Sequence, residues 1–139
     1  MTATEKAKAL LTDNVTFAAV SEKGEYTSEK RGVAPILEKI DNDPDFFSSA
    51  SVADRVIGKA AAMLLEKYGV SEIFAAVTSR HAKAYLDDKS VIFTYDKLVD
   101  FIINRQGTDM CPMEKSVLDT NDPVEGEKLI REKIRAMRG

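Results

Sequence analysis

The side chains able to do chemistry in this chain are few. There is one cysteine, Cys111, and one histidine, His81. Cys111 precedes Pro112, a residue well suited to the first position of a helix, so Cys111 is predicted to be an N-cap with free backbone N–H groups nearby. Such a place favours a thiolate, which makes Cys111 a candidate catalytic nucleophile or sulfur carrier. The plainer reading is a small apolar side chain in the interior, since no histidine base is visibly placed beside it. Upstream lies a polar loop, Asn104-Arg105-Gln106-Gly107-Thr108-Asp109-Met110. Arg105 offers a planar fork for phosphate or carboxylate, and Gly107 permits close backbone approach. The helix start after Cys111 adds N–H donors. Asn104, Arg105, Gly107, Thr108, Asp109 and Glu114 are therefore candidate ligand-binding residues for a nucleotide phosphate. The alternative is an ordinary connection in which Arg105 pairs with Asp109 and Glu114 caps its own helix.

Asp54 is the second candidate catalytic residue, as a base or a partner for a ribose. It can equally serve as the third-position acid of a helix beginning at Ser51. Lys59 is expected on the solvated side of that helix, with Arg55 and Glu66. His81 falls near a helix start, with no cysteine or second histidine to share a metal.

The elements that must hold these residues follow from periodicity. A short helix is predicted over Thr4–Leu11, and strands over Val15–Val20 and Glu25–Ser28, joined as a hairpin by Glu22-Lys23-Gly24. Pro35 opens a helix ending near Ile40. From Ser51 to Tyr68, Val52, Val56, Ala60, Leu64 and Tyr68 recur at i+4, which predicts one long amphipathic helix closed by Gly69. Ile73–Val77 reads as a buried strand, and Ser79 caps a helix to about Leu86. Val91–Tyr95 reads as a strand, Asp96–Ile103 as a short helix or turn and Pro112–Leu118 as a helix. Asp122-Pro123-Val124-Glu125 is a strong start for the last helix.

Composition bounds the rest. The 139 residues suit one domain spanning the chain, with 44% apolar and 31% charged residues. Lys and Arg number 20 against 23 Asp and Glu, for a net charge of −3. That balance lacks the basic excess of a nucleic-acid binder. A single cysteine forms no intrachain disulfide and suits a reducing, cytoplasmic setting. There is no run of about 20 apolar residues to span a membrane and no secretory leader at the N-terminus.

Three stretches resemble a small prokaryotic family with a cytidine-deaminase-like fold. They are the hairpin with Arg31-Gly32-Val33-Ala34-Pro35, the run Asp54 to Ala62, and Arg105-x-Gly107-Thr108-x-x-Cys111-Pro112-Met113-Glu114. The resemblance spans roughly Val15 to Val117. It implies an α/β class, three-layer α/β/α sandwich with a mixed sheet of four to five strands. Zinc deaminases of that fold carry His-x-Glu at one helix start and Pro-Cys-x-x-Cys at another, holding zinc and moving protons. By order of elements these places fall on Val52-Ala53-Asp54 and on Thr78-Ser79-Arg80-His81, which lack the ligands. The resemblance therefore implies the fold without a catalytic zinc or other cofactor.

Three functional expectations follow. The first is a deaminase-like domain that binds a nucleotide-like small molecule at the carboxyl ends of the strands. The second is a group or sulfur transferase using Cys111. The third is a non-catalytic module that assembles with copies of itself.

Overall fold

The computed structural model describes residues 1–138. Chain order is α1 (Ala3–Ala9), β1 (Phe17–Ser21), β2 (Gly24–Ser28), α2 (Ala34–Asn42), β3 (Ser51–Ile57), α3 (Lys59–Lys67), β4 (Glu72–Ser79), α4 (Arg80–Leu86), β5 (Ile92–Val99), α5 (Pro112–Ser116) and α6 (Pro123–Arg138). The five strands form one mixed sheet in the order β2-β1-β3-β4-β5. β1 is antiparallel to both β2 and β3, and β3, β4 and β5 run parallel.

Local chemistry accounts for most element ends. Thr2 and Glu5 form a reciprocal capping box at α1. The β1–β2 turn closes across Ser21 and Gly24, whose φ of +128° is open to glycine and strained for other residues. The Ser79 hydroxyl accepts the Ala82 N–H at the head of α4, as the sequence predicts. Asp122 does the same for Val124 at the head of α6.

Two expectations are overturned. The predicted helix from Ser51 to Tyr68 is a strand, a Gly58 hinge and a shorter helix. The i+4 repeat of apolar residues is real, but Ser51–Ile57 is also rich in β-branched residues. β1 and β4 bracket it on both edges, so the sheet captures its backbone donors and acceptors. Hence Ser51 and Asp54 form no capping box. The predicted helix or turn from Asp96 to Ile103 is overturned for the same reason. β5 continues to Val99 because β4 offers a parallel ladder as far as Ser79.

Alternate residues of the strands feed two apolar clusters. Ala19, Val52, Ile73 and Ala75 join the main core with Ile36 and Leu37 of α2, Leu64 and Leu65 of α3, Leu86 of α4 and Ile130 of α6. Ala18, Ala53 and Phe74 join a smaller cluster against Ala7 of α1. Helices thus lie against both clusters, with α1 alone on the smaller one. An aromatic group anchors the main core: Phe47 meets Phe17 and Phe46 edge-on, with centroids 6.1 and 5.5 Å apart. Among the described residues no helix is long and apolar enough to cross a membrane.

Phe47 is fully buried. Phe47→Ala should lower stability by about 3–5 kcal/mol, read as a fall in the urea unfolding midpoint with an unchanged slope.

Candidate functional site

The carboxyl ends of β3 and β4 lead straight into helices α3 and α4, with Gly58 and Ser79 as their N-caps. Two helix starts side by side concentrate unpaired N–H groups. Glu114, reaching in from α5, meets them. Its Oε1 accepts the Lys59 N–H at 2.8 Å and the Ser79 hydroxyl at 2.5 Å. Its Oε2 accepts the Ile102 N–H at 2.8 Å. Glu114 and Ser79 are essentially without solvent contact. The expected role of Glu114 as a cap for its own helix gives way to capping α3 from 55 residues away. Gly58 makes this possible, since a Cβ there would lie 3.1 Å from both Glu114 Oε1 and Ile102 Cγ1.

Next to this node, Lys59 is 5% exposed, which corrects the expectation of a solvated side chain. The cause is the shortened helix: with α3 starting at Gly58, Lys59 turns under the connection between α5 and α6. Its Nζ donates to the Leu118 carbonyl at 3.1 Å. Burial pushes its pKa down, while the negative charges of Asp119 and Glu114 act in the opposite sense. Lys59 lines a groove of about 290 Å³, whose walls include His81, Tyr85, Asp88, Lys89 and Asn121. The other cation is already engaged: Lys89 pairs with Asp88 at 3.3 Å and lies over the Tyr85 ring at 4.7 Å. The Tyr85 hydroxyl donates to Glu66 at 2.6 Å, and burial followed by that bond raises its pKa. Lys59 and His81 carried little signal in the sequence, because their meeting depends on two different strand-to-helix junctions.

Asp54 lies mid-strand in β3, opposite Phe17 and Ala75. It is 6% exposed and accepts the Val56 N–H at 3.3 Å. Burial among apolar neighbours raises its pKa well above the ordinary 3.8. Cys111 is the N-cap of α5, as predicted, and its backbone N–H donates to the Ile102 carbonyl at 2.7 Å. Its side chain caps nothing and is half-buried.

The loop from Asn104 to Asp109 closes on itself. Ile103 and Met110 form a bridge, Asn104 N–H donates to Asp109, and Gly107 and Thr108 N–H groups donate to Asn104. Asp109 pairs with Lys115 at 2.6 Å and not with Arg105. Arg105, Gly107 and Thr108 are exposed. The structure thus brings Glu114 together with Ser79 and the α3 start, and leaves Asp54 and the 104–109 loop outside that hydrogen-bonded node. Among the described residues no three His, Cys, Asp or Glu side chains converge as a metal site.

A model of the family described as "Domain of unknown function (DUF1893)", labelled TM1506, matches residues 5–134. The chain belongs to the DUF1893 family. The crystal structure of a DUF1893 family protein, TM1506, from Thermotoga maritima is 30% identical, with a TM-score of 0.80. The match covers 95% of this chain and 87% of that one. No curated protein matches the chain. A DUF1893 domain in this chain thus has a five-stranded mixed sheet in the α/β class, as the sequence led one to expect.

Three outcomes follow from the two buried acids. Glu114→Ala strands three donors and should cost about 3 kcal/mol or more. Glu114→Gln should recover only part of that, because its amide must face one N–H donor with another; both are checked by urea denaturation. For Asp54, the folded pKa is above the unfolded one, so its contribution to stability is full below pH 3.8 and is lost as pH rises through the folded value. Asp54→Asn should therefore gain on the parent as pH increases from about 4 to 8, measured as the difference in unfolding midpoints.

Proposed function

We propose that this DUF1893 protein is a binding domain for a small, anionic, nucleotide-like molecule, built as a three-layer, cytidine-deaminase-like sandwich without zinc chemistry. The observation that carries the reading is Lys59, a residue 5% exposed that lines a groove with His81 at the carboxyl ends of two parallel strands. A desolvated cation with donor capacity left over attracts an anion more strongly than one in bulk water. Open α/β sheets also bind ligands outside the carboxyl ends of their strands.

Glu114 sharpens the reading. It occupies the donors between the two helix starts, so a ligand's anionic group sits beside Lys59 and not between the caps. Arg105 is exposed on its self-closed loop and is not among the residues lining the groove. In this reading Asp54 and Cys111 support the fold around the groove and take no part in chemistry.

The experiment is thermal unfolding with adenosine and cytidine 5′-monophosphates and with inorganic phosphate. A ligand at about 100 times its Kd adds ~2.7 kcal/mol, which raises Tm by several degrees. Lys59→Met should abolish that rise. If no mononucleotide moves the Tm of the parent protein, the nucleotide-like ligand is wrong.

A further inference from the structure

Lys59 has an environment that goes beyond anion binding. Most lysines with a defined partner here are engaged by carboxylates: Lys23 with Asp43 at 2.8 Å, Lys67 with Glu127 at 2.7 Å, and Lys83 with Asp87 at 3.0 Å. These pairings hold the amines charged. Lys59 instead donates to a neutral carbonyl, that of Leu118, has no carboxylate within ion-pairing distance among the described residues, and lines a groove large enough for a small molecule. A single carbonyl acceptor favours the charged amine less than a carboxylate would, because it carries no negative charge.

We propose that Lys59 is a carbonyl-condensing residue, whose amine forms an imine with a small aldehyde or ketone held in the groove. The neutral nitrogen's lone pair forms the bond to the carbonyl carbon. Both amine protons end on the carbonyl oxygen, which departs as water, so one imine and one water result from one amine and one carbonyl compound. His81, which lines the same groove, is assigned the relay of protons to the departing oxygen. The negative charges acting on the amine are Asp119 and Glu114, which oppose the effect of burial, while Asp88 and Lys89 of the same groove pair with each other. Burial lowers the Lys59 pKa, which raises the share of reactive neutral amine. This inference deepens the binding reading, since it uses the same groove.

The test treats the intact protein with glyceraldehyde and, separately, with glyceraldehyde 3-phosphate. Cyanoborohydride is present to reduce any imine to a stable amine, and the modified lysines are mapped by peptide mass. Lys59 should be labelled severalfold faster than Lys23, whose amine is held charged by Asp43. Lys59→Arg should remove that fast site and leave the slow ones unchanged. Labelling of Lys59 no faster than Lys23 with both aldehydes overturns the proposal. The outcomes also separate the two readings. Fast labelling of Lys59 with no nucleotide-induced rise in Tm upholds the imine and removes the anion site. A nucleotide-induced rise in Tm without fast labelling upholds the anion site and removes the imine.

Discussion

One carboxylate organises the end of this molecule where the parallel strands finish. β3 and β4 each turn directly into a helix, which leaves two sets of unpaired N–H groups side by side in the interior. Glu114 satisfies the first N–H of α3 and the cap residue of α4 together, and its second oxygen takes the Ile102 N–H after β5. An acceptor with two oxygens is required, since three donors converge from three segments. Without it the segment from Ile102 to α5 would have little reason to lie across the sheet end.

The position of Lys59 follows from that fastening. Because Glu114 draws α5 against Gly58, the chain after α5 passes over the start of α3, and the Leu118 carbonyl comes within reach of the Lys59 amine. The lysine is thus buried by the same connection that gives it a hydrogen-bond partner. Its groove is a by-product of capping: the carboxylate takes the deeper donors, and Lys59 is left lining a groove with His81 and Tyr85. Asp54 shows the contrasting case. It is buried in mid-strand with one weak backbone donor, so its surroundings favour the neutral acid.

Much of the fold is legible in the sequence. The hairpin, the strand Ile73–Val77, the Ser79 and Asp122 caps and the Pro35 and Pro112 helix starts all come from local rules, since each depends on a few adjacent residues. The candidate site is far less legible. Its central contacts join Lys59, Ser79, Ile102 and Glu114, which no local spacing relates. The loop from Asn104 to Asp109 has the residues of a phosphate cradle, but it spends its own N–H groups closing a turn. Residue types alone do not say whether a donor is already bound.

What the sequence determined by itself was the set of short-range choices, including the class of fold, because turns, caps and apolar periods are settled within a few residues. Whether Ser51–Ile57 became helix or strand was decided by the tertiary structure. The same apolar spacing serves either form, and only the neighbouring strands β1 and β4 could claim its backbone hydrogen bonds. The burial of Lys59 and the capping by Glu114 were decided there too, since both depend on contacts between residues 55 or more positions apart.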